Sequence, residues 1–110
     1  MNQQVYKIDF VFGKNGKMCY ISHLDLMRLF TRASRRAQLP VKISEGFSPH
    51  PKISVKRALK LGLASDSEEA SMVLTSRVLP KDFMEKLQSQ LPEGIEIKSV
   101  NYESRLGSTG

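Results

Sequence analysis

Two amphipathic helical patterns separated by runs of strand-like alternation constrain this chain more than any other feature. Tyr6, Ile8, Phe10 and Phe12 alternate with Lys7, Asp9 and Val11, which predicts a strand with one buried face. Gly13-Lys14-Asn15-Gly16-Lys17 has turn chemistry, because Asn-Gly readily takes positive φ. Met18 to Ile21 either prolong that strand or begin the next element. Ser22 followed by Asp25 is a capping-box pattern with Asp in place of Glu, and it predicts a helix start. Leu26, Leu29, Phe30, Ala33 and Ala37 then form one apolar stripe. Arg28, Arg32 and Arg35 fall on the opposite side, with Arg36 at its edge. Pro40 ends the helix at about Gln38.

The second half repeats the theme. Val41-Lys42-Ile43 reads as a short strand, and Lys52–Lys56 as another with Ile53 and Val55 on one face. Leu59, Leu61 and Leu63 alternate before a Ser/Asp/Glu-rich turn at Ser65–Glu69, and Ser71–Thr75 reads as a strand. A second helix is expected from Pro80 to Leu91, with Phe83, Met84, Leu87 and Leu91 inward. Pro92-Glu93-Gly94 breaks it. Ile95 and Ile97 then share one face of a last strand that runs on toward Tyr102. The order β-α-β-β-α-β predicts an α+β, ferredoxin-like split βαβ fold, with two helices on one face of an antiparallel sheet. The other face would be free for a ligand or partner. Length agrees, since 110 residues fit one core that buries about 65% of the unfolded surface. Residues 1–103 are expected to form the single domain and 104–110 a flexible tail.

Several classes of function are excluded early. The single cysteine, Cys19, allows no internal disulfide, cysteine-ligated iron–sulfur cluster or four-cysteine zinc site within the chain. The spacing of Cys19, His23, Asp25 and His50 matches no standard metal site, so no metal and no cofactor is expected in this chain. No apolar run approaches a membrane span. The polar start Met1-Asn2-Gln3-Gln4 lacks signal-peptide character, so a cytoplasmic location is expected.

Charge is unevenly spread. The formal net charge is +6, yet nine basic residues between Arg28 and Lys60 face Glu45 alone. Localised positive charge is the usual footprint of a phosphate-bearing partner. The candidate nucleic-acid contacts are Arg28, Arg32, Arg35, Arg36, Lys52, Lys56 and Arg57. The bland alternative is a solvated, solubilising face.

Beside them lies Ser44-Glu45-Gly46-Phe47-Ser48-Pro49-His50-Pro51. Gly46 permits positive φ, and Pro49 and Pro51 fix their own φ and push Ser48 and His50 toward extended conformations. The residues Glu45 to Pro51 therefore shape a stiff loop that presents His50. A histidine there suits acid–base chemistry or a phosphate contact. Paired with His23, it would be the candidate acid–base set of an RNA-processing enzyme. A rigid bulge with a solvated His50 carries equal weight. For His23, a half-exposed residue at the helix start outweighs a role. On balance a non-catalytic binding module is expected rather than an enzyme.

One long stretch also carries a family resemblance. "YISHLDLMRLFTRASRRAQLPVKISEGFSPHPKIS", Tyr20 to Ser54, resembles the signature of the radical SAM-linked proteins, the domain of unknown function DUF2344. The match rests on ISHLDLMR, RRAxLP and SEGFxPHPKIS. It continues more loosely through Leu59-Lys60-Leu61-Gly62, the strand at Met72, and LPEGIEI at Leu91–Ile97. The resemblance implies a companion of a radical SAM enzyme, encoded beside it or fused to it, with the cluster carried by that partner. It also implies a genomic neighbourhood of ribonuclease G-type and ribosomal proteins, which agrees with RNA as a ligand. Docking onto the enzyme without RNA is the other reading that it allows. Family members typically carry Asn where Ser48 stands, prolines around Arg57, Ala58 and Lys60, and acidic residues where Ser71 and Val73 stand. They are usually longer, so the chain would be the first portion of a longer pattern.

Overall fold

The computed structural model describes residues 4–57 and 60–103. Leu59 and the expected tail at 104–110 lie outside the described residues. Four strands and two α-helices follow the order β1 (Tyr6–Lys14), α1 (His23–Arg36), β2 (Ile53–Val55), β3 (Ser65–Leu74), α2 (Pro80–Gln88) and β4 (Ile95–Tyr102). The strands form one sheet in the order β2-β3-β1-β4, with every neighbouring pair antiparallel. β1 and β2 are thus parallel to each other with β3 between them. This is the split βαβ arrangement, and the chain has an α+β, ferredoxin-like fold.

The period-2 pattern of β1 sends Ile8, Phe10 and Phe12 into the core, each at most 2% exposed. Leu26, Phe30 and Ala33 of α1 and Phe83 and Leu87 of α2 meet them there. Phe30 stacks edge-on to Phe10 and Phe12, with ring centroids 5.5 and 5.1 Å away, and Phe83 lies 5.7 Å from Phe10. α1 packs toward β2 and α2 toward β4, so the helices share one side of the sheet.

Local chemistry sets the ends of α1. Ser22 caps the start, accepting a hydrogen bond from the Asp25 backbone N–H at 3.1 Å. The helix stops at Arg36, short of the Pro40 limit. Gln38 takes left-handed φ (58°), and its N–H donates to the Arg35 carbonyl while Leu39 N–H donates to that of Ser34. That bonding is a Schellman stop, formed here with Gln in the place usually held by Gly. α2 likewise ends at Gln88 rather than Leu91.

Three segments differ from their sequence pattern. Met18 to Ile21 do not prolong β1; a 3-10 helix at Gly16–Tyr20 leads into α1. Val41–Ile43 makes only isolated bridges, Val41 to Leu74 and Ile43 to Pro51. Pro40 has no N–H to return to Thr75, and beyond Leu74 the β3 edge is taken by β2, with Val73 N–H donating to the Lys52 carbonyl. Ser65–Glu69 is the first half of β3, not a turn. It pairs with the end of β1, with Glu68 opposite Phe12 and Ser65 opposite Lys14. The turn falls earlier, where Leu61 and Leu63 are exposed.

Candidate functional site: a basic helix face and a proline-bounded loop

α1 presents Arg28, Arg32, Arg35 and Arg36 at i, i+4, i+7 and i+8, all exposed and opposite the Leu26-Phe30-Ala33 stripe. Arg28 has an acid beside it, Asp25 at 3.5 Å. Arg32, Arg35 and Arg36 have no ion-pair partner among the described residues. Two of them occupy the last turn, where cations also complement the helix dipole.

The remaining basic candidates lie elsewhere. Lys56 points out from the uncovered face of the sheet and pairs with Glu69 at 3.2 Å. Arg57 is exposed but reaches the buried Glu68, with Nε donating to Oε1 at 3.4 Å. Lys52 is exposed at the β2 edge. The seven candidates therefore fall into an arginine stripe on the helix side and three separate cations along β2 and its flanks.

Sequence reasoning missed one basic residue that is spoken for. Lys14 is 1% exposed, and its Nζ donates to the carbonyls of Lys60 (2.8 Å) and Cys19 (3.3 Å). Buried in this way, it ties the 3-10 segment to the turn before β3. Its charge is used internally. The signal was the odd placement of a lysine in an otherwise buried strand end.

The loop from Glu45 to His50 is exposed throughout and springs from the β2 edge, the side on which α1 packs. Its neck is closed by backbone bonds. Ser44 N–H donates to the His50 carbonyl at 2.8 Å, and Lys52 N–H donates to the Lys42 carbonyl at 2.9 Å. Gly46 has φ +112°, which a side chain rarely tolerates. Ser44 Oγ accepts from the His50 backbone N–H at 3.1 Å. The imidazole Nδ1 lies 2.9 Å from the Ser48 carbonyl, which can only accept. A proton on Nδ1 satisfies that carbonyl, Ser44 Oγ lies 3.2 Å from the same nitrogen, and Nε2 has no hydrogen-bond partner among the described residues. Phe47 is fully exposed, at 103% of its reference area.

His50 and His23 are not brought together. His23 opens α1, and the His50 loop follows the other end of that helix, which is about 21 Å long at 1.5 Å per residue. No hydrogen bond links them among the described residues. Cys19 is buried, and no group of three or more His, Cys, Asp or Glu side chains that could hold a metal occurs among the described residues. No helix among these residues is long and apolar enough to cross a membrane.

The uncovered sheet face offers a second arrangement that sequence reasoning did not single out. Register brings Ser54, Ser71, Asp9 and Asn101 into one row across all four strands. Ser54 and Ser71 are joined through their hydroxyls at 3.0 Å. Burial raises the pKa of the Asp9 carboxyl above its usual 3.8, and Glu103 and Glu69 add to this while Lys7 and Lys56 oppose it.

Neither the curated proteins nor the solved structures contain a match to this chain. The family DUF2344, described as an uncharacterized protein conserved in bacteria, matches residues 7–106, and the chain belongs to that family.

Proposed function

We propose that the chain is a non-catalytic binding module that holds single-stranded RNA for a radical SAM partner enzyme. The carrying observation is the α1 stripe, where Arg32, Arg35 and Arg36 are exposed with no ion-pair partner among the described residues. A guanidinium fork grips two phosphate oxygens at once, so arginines at helical spacing suit a polyphosphate backbone. The exposed Phe47 ring, on a loop kept stiff by Pro49 and Pro51, supplies a stacking surface for a base. The partner enzyme enters through the resemblance of Tyr20–Ser54 to radical SAM-linked proteins. Such a partner would carry the cluster, which this chain, with a single cysteine, cannot ligate by itself.

Fluorescence anisotropy with a set of single-stranded and structured RNAs tests the reading. Reversing Arg32 and Arg35 to Glu lowers affinity by about 100-fold or more at low salt. Phe47→Ala weakens single-strand binding by about 1–3 kcal/mol. Unchanged affinity in the double reversal overturns the proposal. Absence of RNA binding, together with co-purification of a radical SAM enzyme that survives nuclease and high salt, would replace it with protein docking.

A further inference from the structure

The uncovered face of the sheet is independent of the arginine stripe and has different chemistry. The Ser54-Ser71-Asp9-Asn101 row lies in a shallow depression of about 290 Å³. Lys56 and Glu69 flank it on one side, paired at 3.2 Å. Lys7 and Glu103 flank it on the other, paired at 3.9 Å, a looser contact. Asp9, at the centre, makes no hydrogen bond or ion pair among the described residues. Its carboxylate is partly desolvated by the surrounding strands, which favours any ligand that brings a donor to it. The hydroxyls of Ser54 and Ser71 and the Asn101 amide add oxygen acceptors along the same row.

Two ligand classes fit poorly. The cations here have acids beside them, so a phosphate backbone gains little net attraction. The only aromatic residue of the lining is Phe10, whose ring is 2% exposed, so a nucleobase finds nothing to stack on. What the face does offer is an unpaired acid next to a weakly paired base.

We propose that this depression binds a small zwitterion of the α-amino acid class. The ligand ammonium donates to Asp9, with Ser71 and Asn101 accepting beside it. The ligand carboxylate meets the Lys7 ammonium, displacing the Glu103 contact. The volume suits a small molecule rather than a polymer or a protein surface.

Amide chemical-shift titration of the whole chain is the test, adding the standard α-amino acids one at a time to about 10 mM, the range in which a weak site near −4 kcal/mol saturates. Acetate alone and methylammonium alone serve as half-ligand probes at the same concentration. The expected result is saturable shifts at Asp9, Ser71 and Asn101 with at least one amino acid. Binding should weaken about tenfold or more in Asp9→Asn, as befits loss of one charged contact, and should be unchanged in the Arg32/Arg35 reversal. Lys7→Gln gives a second, separate loss should Asp9→Asn perturb the sheet. The absence of saturable shifts at these amides with every amino acid overturns the proposal. So do shifts that persist in both variants, or that acetate or methylammonium alone reproduces in full. Because the arginine reversal leaves this site intact, its failure and that of the RNA reading are separable.

Discussion

Along α1, Arg32, Arg35 and Arg36 stand exposed with no ion-pair partner among the described residues, whereas Lys56, Lys7 and Lys98 on the sheet's uncovered face lie 3.2, 3.9 and 3.1 Å from a carboxylate. The two surfaces are opposite sides of one small domain. Both are rich in cations, yet only one has charge to offer a polyanion. The lesson is that net charge counts residues, while binding depends on which charges are already engaged. Lys14 makes the same point from inside, where a full positive charge is spent on two backbone carbonyls.

Breaking the shared support is the harshest test of the comparison. Phe30 is wholly buried and touches Phe10 and Phe12, which alternate along β1 with the outward Asp9 and Val11. Phe30→Ala is expected to cost about 3–5 kcal/mol in urea denaturation. At that cost both faces should lose their ligands together, since both hang on β1. Loss on the helix side alone would mean that the sheet face holds its geometry without α1.

A smaller effect sharpens the contrast directly. Arg35→Gln should lower RNA affinity several-fold and reduce the salt slope by roughly one contact's worth. Lys56→Gln should change it by less than about twofold, because a rim charge that is already paired contributes little. Equal losses in the two variants would show that the two faces act as one basic surface.

The smallest effect concerns Asp9 and has a defined sign. Burial raises its folded-state pKa above the ordinary 3.8, so the protonated form favours folding. That contribution is fully present below 3.8 and is lost as pH rises through the raised value. Asp9→Asn is neutral at every pH. It should therefore be slightly more stable than the parent at about pH 7 and lose the advantage at about pH 3. The difference should stay within the roughly 0.5 kcal/mol of an ordinary surface substitution. Thermal melts at the two pH values measure it, and a less stable variant at neutral pH would mean that ionised Asp9 has a stabilising partner.

Much of this architecture is legible in the sequence, where local chemistry and global packing agree. The Ser22 cap, the Leu26-Phe30-Ala33 stripe and the Tyr6–Phe12 alternation each specify an element by themselves, and the helix-side arginines follow from the same wheel. The first half of β3 was illegible for a physical reason. Ser65-Asp66-Ser67-Glu68-Glu69 has the composition of a turn, and only backbone pairing with β1 makes it a strand. Val41–Ile43 is the converse, a strand pattern that finds most of the β3 edge already paired with β2 and that Pro40 deprives of a donor at its start. The Ser54-Ser71-Asp9-Asn101 row was out of reach as well. Its members are scattered along the chain, and only cross-strand register makes them neighbours. The alternation of Lys7, Asp9 and Val11 shows that they share a face, not what lies beside them.

The central claim, that the α1 face binds RNA through unpaired arginines, is tested most directly by measuring RNA affinity from about 50 to 200 mM salt. Three unpaired arginines on phosphates predict that log affinity falls with log salt at a slope near −2, at roughly −0.7 per contact on a single strand. The Arg32/Arg35 reversal should flatten that slope. No binding at the lowest salt, or an affinity that salt and the reversal leave unchanged, would contradict the account.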